Sequence, residues 1–201
     1  MRFGPGVLSG ALGVALLAGC GGGSSGDAST PASSPAASTA AATGPWATSD
    51  CATIAPPTTA PTKPEGAVVE GEVATTVDPA TAPVVGVLEG AVPITRLVIS
   101  DVVPGSGPEV APGATVTVQY CGVGLASGAI FDSSWARGAP ATFPLDGVIT
   151  GWQEGIPGMQ PGGRRLLIIP ADMAYGDAPP PQSGIGPGES LVFVVDMLSS
   201  P

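Results

Sequence analysis

Residues Val148–Met159 read VITGWQEGIPGM. Ile149, Trp152, Ile156 and Met159 step by three, four and three, which places them on one face of a helix. Gly151 and Gly155 weaken that helix, and Pro157 with Gly158 ends it after about two turns. The flanking sequence has a different period. Thr115–Gly122 (TVTVQYCG) alternates, with Val116, Val118 and Tyr120 on one face. Thr95–Val103, Arg164–Ile169 and Ser190–Leu198 are further β-branched or apolar runs, separated by turns of Gly and Pro. The pattern predicts an α+β domain of antiparallel strands with one short helix, whose apolar side covers a sheet face of Val, Ile, Leu and Phe.

Composition excludes several chemistries. The 201 residues include 31 Gly and 24 Pro, over a quarter of the chain, which points to low-complexity segments beside the ordered domain. A net charge of −10 argues against nucleic-acid binding and against a basic membrane-surface patch. With no histidine there is no Ser-His-Asp or Cys-His machinery and no HExxH zinc site. The three cysteines lack CxxC spacing, and no Gly-rich stretch ends in Gly-Lys-Ser/Thr. Neither a metal nor a cofactor is expected.

Residues 1–19 carry one Arg, then an apolar run from Val7 to Leu17 too short to span a bilayer, then small residues. The run ends Leu17-Ala18-Gly19-Cys20, which resembles a bacterial lipobox. That resemblance implies a lipoprotein signal peptide over 1–19, lipid on Cys20, and a lipid-anchored chain on the extracytoplasmic face of the cell membrane. Residues 20–65 are rich in Pro, Ala, Ser and Thr, and are expected to be a disordered tether. Residues 66–92 are richer in Val but broken by Gly and Pro, and are expected to be an extended arm packed on the domain.

The domain over 93–201 resembles the FKBP-type peptidyl-prolyl isomerases. The matching pieces are Val118-Gln119-Tyr120-Cys121-Gly122, Phe131-Asp132-Ser133-Ser134, Val148-Ile149-Thr150-Gly151-Trp152, Gly155-Ile156-Pro157-Gly158-Met159, Ala174-Tyr175-Gly176-Asp177 and Leu191-Val192-Phe193, in that order. The resemblance implies an FKBP-like antiparallel five-stranded sheet curled around one short helix, with an apolar pocket between them. It also implies rotation of Xaa-Pro bonds in exported polypeptides, binding of macrolide ligands, and a monomer. Trp152 would be the pocket floor, and Tyr120, Phe131 and Phe193 its walls. Val148 and Ile149 precede the helix, and the Ile149 amide would donate to a bound carbonyl. Tyr175 would offer its hydroxyl, Asp132 would sit at the edge held by Tyr120 or Arg137, and Ile185 would lie on the rim. Ala141 stands where the family has a pocket aromatic, while Phe143 matches a core position, so one wall is expected to be low.

The reaction needs no nucleophile, because no bond breaks. The barrier of about 18–20 kcal/mol falls if the twisted amide is bound better than the planar one. The alternative is a non-catalytic module or holdase that binds proline segments in the same cleft. Export would expose Cys51 and Cys121 to oxidising surroundings, where they form either a disulfide or a pair of free thiols.

Overall fold

The computed structural model describes residues 44–200. The expected signal peptide, the lipidation site Cys20 and the tether up to residue 43 lie outside them. The described chain forms two antiparallel sheets. The first is made of β1 (Trp46–Asp50), β2 (Thr58–Ala60), β3 (Val68–Glu70), β4 (Val73–Thr75) and β5 (Val84–Leu88), in the order β2-β1-β5-β4-β3. Residues 46–60, expected within a flexible linker, thus supply two strands, and 66–92 supply three more. The Thr, Ala and Pro content of residues 46–60 carries little apolar period, so β1 and β2 are revealed only by the ladder that runs β2-β1-β5.

The second sheet contains β6 (Val98–Val103), β7 (Thr115–Gly124), β8 (Ile130–Ser133), β9 (Ala141–Pro144), β10 (Arg164–Ile169) and β11 (Leu191–Ser199). Its order is β6-β10-β11-β7-β8, and β9 pairs with the first half of β7. It has six strands rather than the expected five, because β7 is long enough to pair β9 and β8 in succession. Two short helices accompany it, α1 (Ser134–Arg137) and α2 (Thr150–Gly155), where one was expected. The extra turn is well capped. The Ser133 hydroxyl accepts from the Ala136 amide, and Gly138 closes α1 in the left-handed region at φ 70°.

β10 is buried along its whole length and β11 along its first seven residues. Strands buried on both faces read as continuous apolar runs rather than as alternation. Leu167, Ile169, Phe193 and Val195 point to the concave side, where Trp152 and Ile156 of α2 pack on them. Leu166, Ile168, Val192 and Val194 point the other way, onto Val73, Val85 and Val87 of the first sheet. The helix is therefore not the only cover of this sheet, as its isolation in the sequence suggests. Gly151 and Gly155 let α2 lie close, since a Cβ on Gly151 would stand 2.4 Å from Ile169 and one on Gly155 2.8 Å from Leu167.

Polar links also join the two sheets. Arg164 is fully buried. It pairs with Asp196 across β10 and β11 at 2.5 Å and 2.9 Å, and donates to the carbonyls of Thr76 and Thr81 at 3.0 Å and 2.7 Å. Burial pushes the Asp196 carboxyl up, against the opposing pull of Arg164. Cys51 and Cys121 form a disulfide across 70 residues. In the chain-entropy account, closing such a loop stabilises the fold by about 4 kcal/mol.

Candidate active site

A cavity of about 500 Å³ opens between α2 and the concave face of the second sheet, within the range of small-ligand sites. Its walls are Tyr120 of β7, Phe131 and Asp132 of β8, Phe143 of β9, Phe193 of β11 and Trp152 of α2, with Gly147, Val148, Ile149 and Tyr175 at its mouth. Strand alternation explains the choice. Tyr120 follows Val116 and Val118 on the concave side, and Phe193 follows Leu191. Gly122 makes room for them, since a Cβ there would lie 2.5 Å from Phe131 and 3.0 Å from Phe193.

Trp152 is 3% exposed and forms the floor. It meets Phe193, Tyr120 and Phe143 edge to face, at centroid distances of 5.3, 5.5 and 5.8 Å. Phe131 stands edge-on to Phe193 at 5.4 Å. Such pairs contribute about 0.5–1.5 kcal/mol each beyond their buried area, and they lock the rings in place.

One side of the pocket is polar. The Tyr120 hydroxyl donates to Asp132, and Arg137 donates to that same hydroxyl at 2.9 Å. Arg137 also forms an ion pair with Asp132, and its guanidinium lies over the Tyr120 ring at 5.4 Å from the centroid. Asp132 is thus held by both residues rather than by one. Burial first, and then the Asp132 carboxylate, push the Tyr120 hydroxyl up to about 12, so it remains a neutral donor at physiological pH. The hydrogen bond it donates to the Tyr120 hydroxyl is the leading reason that the Arg137 guanidinium is raised as well.

The Ile149 carbonyl starts α2 by accepting from the amides of Trp152 and Gln153, at 2.9 Å and 3.2 Å. The Ile149 amide itself donates to no group among the described residues, and it lies where that residue lines the cavity. Tyr175 is 37% exposed at the mouth. Ile185 does not line the cavity, but packs, partly buried, against the concave-side core.

Phe143 corrects the expectation of a low wall. It lines the cavity two residues from Ala141, on the same side of β9, and meets Tyr120 at 5.8 Å. The Ala-Thr-Phe-Pro alternation holds that signal, because residues two apart on a strand share a face. Gly147 was also missed, having no side chain to draw attention. Among the described residues no group of three or more His, Cys, Asp or Glu could hold a metal.

The family model of the FKBP-type peptidyl-prolyl cis-trans isomerases matches residues 107–198. The probable FK506-binding protein of Corynebacterium glutamicum is 52% identical over 106 residues, which cover 52% of this chain and 86% of that protein. The chain belongs to the FKBP-type peptidyl-prolyl isomerase family. The FK506-binding protein of Streptomyces anulatus is 47% identical over 112 residues, 55% of this chain and 90% of its own. The isomerase FkpA of Escherichia coli is 45% identical over 104 residues, and those span only 37% of its length. The family match takes in β7 to β10, most of β11, and α2, so strands β1 to β6 lie before it.

Proposed function

We propose that the chain is a peptidyl-prolyl cis-trans isomerase that assists the folding of exported proteins at the cell envelope. The observation that carries this is the largely aromatic cavity with one polar wall, floored by the buried Trp152. A twisted Xaa-Pro amide has lost resonance and much of its charge separation, so an apolar site disfavours it less than water does. The prolyl ring would rest on Trp152 between Phe193, Phe143 and Tyr120. The Ile149 amide and the Tyr175 hydroxyl would donate to carbonyls on either side of the bond, aligning the segment as it turns. Asp132, paired with Arg137 and hydrogen-bonded by Tyr120, would border the exchanging carbonyl. No proton or electron changes hands, and the chain needs only to hold the intermediate geometry.

Phe143 restores the aromatic wall whose absence would favour a non-catalytic holdase, which supports turnover. Macrolides would occupy the same cavity. The segment Leu17-Ala18-Gly19-Cys20 and the disulfide both support export, with lipid on Cys20 as the anchor. No helix among the described residues is long and apolar enough to cross a membrane.

The deciding experiment is relaxation of an Xaa-Pro peptide with the full chain. Catalysis is expected, with kcat/KM lowered about tenfold or more in Trp152→Leu, the equivalent of ~1.4 kcal/mol of lost ring contacts. Binding of the peptide without acceleration would favour the holdase. Labelling with radioactive palmitate, lost in Cys20→Ala, checks the anchor.

A further inference from the structure

The two polar wall residues share an arrangement on the opposite face of the sheet. Tyr120 is followed by Cys121 on β7, and Asp132 by Ser133 on β8. Alternation sends Tyr120 and Asp132 to the pocket and their neighbours to the far side. There Cys121 and Ser133 are direct register partners. A single residue of the other sheet's connections engages both. Cys51 bonds covalently to Cys121, and its carbonyl accepts from the Ser133 hydroxyl at 2.7 Å. Its own amide donates to Pro83 at 3.0 Å, which ties it back to its sheet. The same Ser133 hydroxyl caps α1, which carries Arg137.

β8 needs such support. It has four residues, lies at the sheet edge, and pairs only with β7 through a ladder broken between Gly122 and Val123. Short edge elements with few ladder bonds open most readily. Opening of β8 would carry Asp132 away from Tyr120 and loosen the seat of Arg137. A second tie, from the Ser49 hydroxyl to the Gly128 carbonyl at 2.7 Å, holds the turn between the strands.

We propose that Cys51 is a positioning residue for the isomerase pocket: it clamps β7 to β8 from behind and so fixes Tyr120, Asp132 and Arg137 relative to one another. The first sheet is then part of the working enzyme and not only a support. This rests on the isomerase reading given above.

The test compares full-chain Cys51→Ala/Cys121→Ala and Ser133→Ala with Val87→Ala, which removes apolar contact from the same buried layer without touching the clamp. Rates are measured at a temperature where each variant is folded. A misplacement on the order of 1 Å can cost up to about 100-fold. Both clamp variants are expected to lose roughly tenfold in kcat/KM relative to Val87→Ala. The chain has two tyrosines, so 13Cζ-tyrosine NMR resolves Tyr120, whose titration should move down as Asp132 is released. If the clamp variants match Val87→Ala in rate, and Tyr120 titrates as in wild type, the inference is overturned. If Ser133→Ala alone can be studied, the same two readouts decide. An inactive wild-type chain would instead overturn the isomerase reading.

Discussion

The two faces of the second sheet bury similar residues to different ends. The concave face leaves a cavity among six aromatic and polar walls, whereas the far face is closed by Val73, Val85 and Val87 of the first sheet. Filling removes voids and stabilises the fold. A pocket gives up part of that packing so that a ligand can complete it. Stability should therefore respond most to the far face, and catalysis to the concave one, with Cys51 as the crossing point.

The largest break in that comparison should come from Arg164→Met. It leaves Asp196 buried without its partner, and takes the guanidinium donors from the carbonyls of Thr76 and Thr81. Loss of one member of a buried pair costs about 3–5 kcal/mol. Denaturant unfolding should show that loss, while the folded fraction retains its kcat/KM. A shorter cut, Val87→Ala, removes two methyl groups and leaves a small void, for about 2 kcal/mol. A matching loss of activity in the folded fraction would break the division between the faces.

On the concave side, Tyr120→Phe keeps the ring but removes the hydroxyl between Asp132 and Arg137. Its effect on stability at pH 7 should be about 1 kcal/mol, with the clearer change in kcat/KM. The pH profile sharpens this. The folded hydroxyl titrates near 12 against an ordinary value near 10, so its contribution is fully present below pH 10. It is lost as pH rises from 10 toward 12. Unfolding midpoints at pH 9, 10 and 11 should fall faster in wild type than in Tyr120→Phe; parallel slopes would refute the assignment.

The smallest stability effect is expected for Arg137→Gln. The side chains of Arg137 and Asp132 are 44% and 39% exposed, and such pairs contribute under about 1 kcal/mol. Its melting temperature should barely change.

What was legible in the sequence was local in origin. The spacing in VITGWQEGIPGM locates α2, because a helix writes its buried face at three- and four-residue steps, but the helix is shorter than the pattern: Ile149 and Ile156 are its caps and Met159 lies beyond it. The alternation through Val116, Val118 and Tyr120 likewise identifies β7 and its inward side. Trp152, Tyr120, Phe131, Asp132, Val148, Ile149, Tyr175 and Phe193 all meet at one cavity, each lying in one of the ordered short stretches. The apolar runs Leu166–Ile169 of β10 and Leu191–Val195 of β11 held a further clue, since alternate residues of one run serve two different cores.

Other features depended on partners far along the chain. Trp46–Asp50 and Thr58–Ala60 carry no pattern that separates strand from linker, and become strands because β5 and β1 offer them ladder bonds. Phe143 reaches the pocket wall because β9 pairs with β7 in one register, Val116 opposite Phe143. A slip of one residue would turn it outward. By itself the sequence determined the main strands of the domain and the helix with its tryptophan, since these follow from residue type and short-range period. Only tertiary structure decided that β9 turns Phe143 inward, that Cys51 and Cys121 bond, and what covers the far side of the sheet. Those outcomes arise from pairing and burial between segments up to 70 residues or more apart.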